Sequence, residues 1–469
     1  MMPEHLSRRD FLHFAGAAAL GFSLWPMGRE ADRSPADSST PPLTSGPAPG
    51  CLDGGKGACV RVESGELQGY RSGRLFVFRG IPYARAERFG PPRPVPPWVG
   101  TRSALKPGPR CPQLPSRLEI VMGTLQETPV MSEDCQVLSV WSPDPAGKRP
   151  VMVWIHGGAY VTGGGEEAWY DASRLADEGD VVAVTITHRL GAFGYFSPAP
   201  CGVRNPGLED QLAALAWVQR NIAKFGGDPD NVTVFGQSAG GHAIASILGT
   251  CERPPFSRAI LQSAPLGMTI GQKDAEAAAR EFNRALGKPL RAASVDEMIA
   301  AQGNVLAASN RGLAFGPVGV DTLKPVVNPD VRLDVLMTWT LDDAAPFAAL
   351  MHPGGTYGGP VDRLATRIGT RMHFSGPGRK LAAALRARGQ RVAAYEIVWR
   401  PQGGRFGACH CVELPLLFGN KAVWDGAPML GSAPWDEVEH LGRQARTQWA
   451  AFARSGELPR PTAWLVRQV

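Results

Sequence analysis

The chain has 469 residues, 43% hydrophobic and 20% charged, with a formal net charge of +6. That length allows two or three domains. The positive excess includes N-terminal arginines and is otherwise spread along the chain, which argues against nucleic acid as a partner. No segment after the N-terminal one is apolar enough to cross a membrane, and no internal repeat is visible. The 56 glycines and 42 prolines fit a loop-rich α/β protein whose loops carry its site.

Residues 1–28 read as a twin-arginine-type signal segment. Ser7-Arg8-Arg9-Asp10-Phe11-Leu12 carries the paired arginines, and the apolar run from Phe11 to Trp25 is too short to span a bilayer. No A-x-A cleavage site is clear, so an uncleaved N-terminal anchor stays open. The expected destination is the periplasm or the exterior. Residues 29–54, rich in Pro, Ser and Ala, read as a disordered linker. Cys51 lies too far from the apolar run to be a lipidated cysteine. Residues 55–469 are expected to form a single domain, and the chain's eight cysteines suit an oxidising compartment.

Within that domain, Val151-Met152-Val153-Trp154-Ile155 predicts an apolar strand running into His156-Gly157-Gly158-Ala159-Tyr160. A small-residue turn after a strand points successive backbone N–H groups at one spot, as a tetrahedral oxyanion requires. A tight turn that merely needs glycine is the bland alternative. Further along, Val232 to Phe235 predicts a second buried strand and His242 to Leu248 a helix. Gly236-Gln237-Ser238-Ala239-Gly240 lies between them. A G-x-S-x-G turn between strand and helix leaves the serine hydroxyl exposed on a strained backbone.

The stretch Phe225-Gly226-Gly227-Asp228-Pro229-Asp230-Asn231-Val232-Thr233-Val234-Phe235-Gly236-Gln237-Ser238-Ala239-Gly240 resembles the active-site signature of the type-B carboxylesterases, relatives of the cholinesterases and p-nitrobenzyl esterases. Other blocks are similar to that family in its own order. They are Phe78-Arg79-Gly80-Ile81-Pro82-Tyr83-Ala84, Ser132-Glu133-Asp134-Cys135, His188-Arg189-Leu190-Gly191, Asn205 to Gln211 and Ser257 to Ser263. The likeness runs from about residue 60 to 455. It implies an α/β-hydrolase fold with a mostly parallel central sheet flanked by helices. It also implies a serine hydrolase that cleaves small-molecule carboxylic esters through an acyl-enzyme, without cofactor or metal.

The resemblance assigns the remaining roles. His410, in Cys409-His410-Cys411-Val412-Glu413-Leu414-Pro415, is similar to the family's histidine loop and follows the nucleophile in the order Ser…Asp/Glu…His. A zinc site at Cys409, His410 and Cys411 is disfavoured, because two cysteines one residue apart are poorly spaced and no second ligand cluster is evident. Asp343 falls on the family's glutamate position after a strand expected at Val331 to Met337, with Asp342 and Glu413 as the alternatives. Its shorter arm must approach the imidazole by about one C–C bond, ~1.5 Å. The implied oxyanion donors are the N–H groups of Gly158, Ala159 and Ala239.

Gln237 stands where cholinesterase-like members carry a glutamate, which disfavours cationic choline esters. The intervals from Ser238 to Asp343 and from Asp343 to His410 are shorter than the family's, implying a reduced pocket wall and a shallower, more open site. The last strand is expected to be short or missing. Cys111 and Cys135 sit where the family often closes a disulfide, and Cys51 and Cys59 are placed for a small N-terminal loop. Arg189 with Asp210 and Arg88 with Glu133 resemble family salt bridges. Two rival readings are weighed: a non-catalytic binding protein on the same fold, and a triad enzyme acting on amides or carbamates.

Overall fold

The computed structural model describes residues 57–196, 205–308, 313–351 and 357–468. The signal segment, the linker, the domain boundary near residue 55, Cys51, Cys201 and His352 lie outside the described residues.

The strands are β1 Gly57–Val62, β2 Gly65–Ser72, β3 Leu75–Pro82, β4 Thr101–Ser103, β5 Val137–Ser142, β6 Arg149–Ile155, β7 Val182–Ile186, β8 Gly227–Gln237, β9 Arg258–Gln262, β10 Asp334–Thr340, β11 Arg391–Ile397 and β12 Leu465–Arg467. They join one sheet in the order β1-β2-β3-β5-β7-β6-β8-β9-β10-β11-β12, with β4 beside β2. From β7 to β11 in that order every pair is parallel. The edges are antiparallel, β1, β2, β3 and β5 with β7 on one side and β11 with β12 on the other, while short β4 runs parallel to β2. This is the α/β-hydrolase architecture.

The apolar strands stay apolar because both faces are covered. Side chains alternate along β6, so Val151, Val153 and Ile155 enter one core while Met152 and Trp154 enter the other. The first core is roofed by helices Pro206–Asn221 and Ala239–Leu248, the second by Ser173–Gly179 and Trp435–Ser455. The last of these has Asp436 and Glu437 in its first turn, Arg454 in its last, and left-handed Gly456 (φ 72°) as its stop. Each of those choices favours the helix at its own end.

One expectation changes in detail and another is met. Strand β10 begins at Asp334 rather than Val331, because the Asn328 side chain accepts the Asp330 N–H (2.9 Å) and its carbonyl accepts the Val331 N–H (2.9 Å). That turn takes the first residues out of the ladder. The last strand is present but short, β12 pairing with β11 from Tyr395 to Ile397.

The cysteines correct the resemblance. Cys111 and Cys135 are free thiols, both buried, as are Cys409 and Cys411, whereas Cys59 is disulfide-bonded. Cys111 Sγ accepts the Leu190 N–H at 3.2 Å. The Cys111 thiol alongside, together with burial, holds the Cys135 thiol well above its usual range. A protonated thiol is a poor partner for disulfide exchange.

Candidate active site

The parallel strands deliver the candidate residues to one edge of the sheet. Ser238 follows β8, Asp343 follows β10, and His410 lies in the loop after β11. In open parallel sheets that carboxyl edge is where sites form. Ser238 has φ 56° and ψ −122°, a left-handed conformation costly for a side chain. It is held there by its own N–H, which donates to the Gln262 carbonyl at 2.8 Å, and by the helix Ala239–Leu248 that starts at the next residue.

The flanking glycines serve close approach rather than unusual dihedrals. A Cβ on Gly240 would collide with the Ile155 carbonyl, and one on Gly236 would press on Gly240 and Ile155. The elbow therefore packs backbone against backbone on the end of β6, which is where the oxyanion turn begins.

In that turn Gly158 (φ 109°), Ala159 (φ 54°) and Tyr160 (φ 63°) form three successive positive-φ residues, two of them not glycine. The turn is pinned on both sides. The Tyr160 carbonyl accepts the Gly191 N–H at 2.6 Å, and the Tyr160 hydroxyl lies 2.7 Å from His242 Nδ1. Burial lowers His242 to about 4, so the ring is neutral near pH 7. His242 Nε2 lies 3.2 Å from the Met268 carbonyl, which makes Nε2 the donor and leaves Nδ1 to accept from Tyr160. His242 is thus a buried packing residue, and so is His188, whose Nδ1 lies 3.0 Å from the Arg189 carbonyl and Nε2 3.1 Å from Gln211 Nε2. The N–H groups of Gly158, Ala159 and Ala239 have no hydrogen-bond acceptor among the described residues.

Asp343 and His410 are brought together: Asp343 Oδ1 lies 2.6 Å from His410 Nδ1, and both side chains are fully buried. Asp343 Oδ2 accepts the Thr340 N–H at 2.9 Å. The shorter aspartate arm reaches because Asp342 stitches the two loops. Its N–H donates to the Ala408 carbonyl (2.9 Å), and its Oδ2 accepts the Ala408 N–H (3.0 Å). Arg400 clamps the same carboxylate at 2.8 and 3.0 Å. Asp342 is therefore committed away from the imidazole.

Glu413 is committed elsewhere too. Its Oε1 accepts from Gln262 Nε2 at 3.3 Å, and Trp449 Nε1 donates to Gln262 Oε1 at 3.4 Å. Burial, reinforced by the Asp343 charge, pushes the Glu413 carboxyl up to about 8. The folded state then holds this proton more tightly than the unfolded chain, whose ordinary value is 4.5. The resulting stability is complete below about pH 4.5 and is lost as pH rises through about 8. Glu413→Gln is expected to flatten the fall in melting temperature between pH 5 and 9 relative to wild type. Parallel melting curves for the two proteins across that range would refute a neutral buried carboxyl.

The geometry fixes the tautomer of His410. With Nδ1–H directed at Asp343, Nε2 carries the lone pair. His410 Nε2 is buried without a hydrogen-bond partner, and the Ser238 hydroxyl has none among the described residues. Phe347 and Phe374 flank the imidazole at ring distances of 5.1 and 5.3 Å. Phe347 also lines the space above Ser238, so it joins the two.

Where a shallower, more open site was expected, that space is divided. A slot of about 30 Å³ touches Ser238, Gly158, Ala159, Phe347 and Leu350. A larger chamber of about 380 Å³ lies across the turn, against Gln237, Tyr170 and Glu167. Ser116, Leu118, Gly158 and Thr162 border both. Burial raises Glu167 to about 7, opposed by Arg110 at 3.0 Å.

Ion pairs brace the loops beneath. Arg189 and Asp210 meet at 2.7 Å with both side chains buried, and Arg88 Nε donates to Glu133 at 2.8 Å. No group of His, Cys, Asp or Glu among the described residues is arranged to hold a metal. No helix of the described residues is long and apolar enough to cross a membrane. Sequence reasoning missed Phe347 and Phe374 beside the imidazole, and Arg117, which also lines the slot at Ser238. Nothing in the sequence marked them, since an aromatic or basic residue in a helical or loop run is ordinary.

Comparison with known proteins agrees with this architecture. Residues 56–351 match the model of the carboxylesterase family. The chain is 36% identical over 435 residues to a probable N-octanoylanthranilate hydrolase of Rhodococcus erythropolis, covering 86% of this chain and 94% of that protein. It is 32% identical over 446 residues to the para-nitrobenzyl esterase of Bacillus subtilis, covering 85% and 90%. The structure superposes on a thermophilic PNB esterase with a TM-score of 0.75 at 30% identity, over 87% of this chain and 93% of the other.

Proposed function

The chain belongs to the carboxylesterase family, and from that premise we propose that it cleaves carboxylic esters with Ser238 as nucleophile, His410 as base and Asp343 as the orienting acid. The observation that carries the assignment is the 2.6 Å contact between Asp343 Oδ1 and His410 Nδ1. It leaves the Nε2 lone pair free, on a ring that Phe347 joins to the slot at Ser238.

His410 Nε2 takes the Ser238 proton as Oγ attacks the ester carbonyl carbon. The carbonyl π electrons move to oxygen, which the N–H groups of Gly158, Ala159 and Ala239 receive. Asp343 stabilises the imidazolium that forms. Collapse of the intermediate breaks the C–O bond, and His410 returns its proton to the departing alkoxide. Water then enters, loses a proton to His410 and adds to the acyl carbon; collapse breaks the bond to Ser238, whose oxygen takes that proton back from His410 as the acid leaves. The Ser238–His410 hydrogen bond is expected to close when substrate excludes water from the slot, as often happens between free and bound enzymes.

The test is hydrolysis of p-nitrophenyl acetate, butyrate and octanoate, with intact-mass detection of the acyl-enzyme after rapid quench. Ester turnover with an acyl adduct on the peptide containing Ser238 is expected. Turnover with no adduct, or an adduct elsewhere, overturns the assignment. A second reading, amide cleavage by the same acyl-enzyme, is favoured by the relative named for N-octanoylanthranilate. An N-octanoyl anilide in the same assay tests it. Export through the twin-arginine leader to the periplasm or exterior belongs to the same proposal. It is supported by Ser7 to Leu12 and by the disulfide at Cys59.

A further inference from the structure

Resting on the ester-hydrolase reading above, we propose that Arg117 is a specificity-determining residue that receives a carboxylate carried on the acyl part of the substrate. Arg117 lines the slot that touches Ser238, Gly158 and Ala159. The other lining residues are Leu118, Val161, Phe347 and Leu350, with Ser116, Thr162 and the turn itself, so Arg117 is the one arginine, lysine or acid among them.

What sets Arg117 apart is the lack of a counter-ion among the described residues. The deeply buried arginines elsewhere each meet a carboxylate: Arg79 with Glu166 at 3.3 Å, Arg189 with Asp210 at 2.7 Å and Arg446 with Glu178 at 2.8 Å. Half-buried Arg110 meets Glu167 at 3.0 Å. Among the described residues Arg117 has neither ion pair nor hydrogen bond through its side chain. Segments 197–204, 309–312 and 352–356 contain no Asp or Glu, so they have no carboxylate to give it. The nearest acid along the chain, Glu119, is bound to Thr124 Oγ1 at 3.2 Å. Burial alone lowers the Arg117 pKa, with no neighbouring anion opposing it.

A half-buried guanidinium without a partner is an unfavourable way to line an apolar slot unless a ligand supplies the missing charge. Guanidinium and carboxylate match as a planar, two-bond fork. The slot beside Ser238 is small, which favours a short chain between the two carboxyl carbons. The substrate class that fits is the half-ester of a short dicarboxylic acid: the ester carbonyl at Ser238, the methylenes against Leu118 and Phe347, and the free carboxylate on Arg117. The neutral Gln237 fits the same polarity, since it adds no anion to repel such a substrate.

The experiment measures kcat and KM for monoethyl succinate and monoethyl adipate beside neutral ethyl butyrate and ethyl hexanoate, using the full chain at pH 7. Wild type is expected to prefer the half-esters, and the preference should shrink as salt is raised. Arg117→Met should raise KM for the half-esters about 10- to 100-fold while neutral esters stay within about twofold. Arg117→Lys should keep part of the preference. A loss shared equally by both classes would make Arg117 structural, and no change in either would remove it from the site. If wild type cleaves neutral esters without preferring half-esters, this inference alone falls. If it cleaves no ester of either class, the reading it rests on falls with it.

Discussion

Ser238→Ala is expected to lower kcat for p-nitrophenyl butyrate by about 10⁴- to 10⁶-fold while leaving the fold intact. The size follows from the covalent step: without Oγ there is no acyl-enzyme, and only binding and the oxyanion turn remain to assist water. The cleanness follows from the surroundings. The Ser238 hydroxyl makes no hydrogen bond among the described residues, so its removal leaves no buried partner unsatisfied. The backbone at φ 56° is held by the Gln262 carbonyl and the following helix, neither of which depends on the side chain. Melting temperature should move by no more than about 2 °C, since alanine meets the same dihedral cost as serine. Steady-state kinetics on both proteins at matched concentrations of folded chain, with active-site titration of the wild type, measures the ratio. A variant that keeps more than about one per cent of the activity would mean that another nucleophile does the chemistry.

How much of this was legible in the sequence depends on how local each feature is. The elbow was legible because strand, turn and helix are contiguous, and Gly236 and Gly240 are required by backbone packing within a few residues of Ser238. The turn at Gly158 and Ala159 was legible for the same reason. The reason for the glycines was less so: the sequence suggested room for strained dihedrals, whereas the structure shows β6 and the elbow in backbone contact. Asp343 was reachable only through resemblance, since its position depends on β10 and β11 lying side by side and on Asp342 tying their loops together. The pocket walls were the least legible. Phe347, Phe374 and Arg117 come from three separate segments, and nothing in their local pattern distinguishes a wall from an ordinary packed or exposed side chain. The cysteines show the opposite failure, a strong expectation carried by likeness alone. Cys111 and Cys135 stand side by side, yet Cys111 spends its sulfur on the Leu190 N–H and both remain thiols.

The two neighbouring aspartates offer the sharper comparison, because they differ in what each holds. Asp343→Asn is expected to lower kcat by about 10⁴-fold. An asparagine can keep the Thr340 N–H bond through its oxygen, but then its amide nitrogen faces His410 Nδ1. Two donors cannot face each other, so the ring must move its proton to Nε2, and Nε2 can no longer take the one on Ser238. The volume is unchanged and the site stays packed, so the loss should fall on kcat far more than on KM. Asp342→Asn removes the charge that Arg400 clamps, on a side chain that is mostly buried beside one that is 57% exposed. The amide oxygen still accepts the Ala408 N–H, so the loops stay joined and activity should fall less than about tenfold. Measuring kcat and melting temperature for both variants separates the roles: one should lose chemistry with stability nearly kept, the other a little stability with chemistry nearly kept. The reverse result would move the orienting carboxylate to Asp342, and His410 would then have to leave its 2.6 Å partner to reach it.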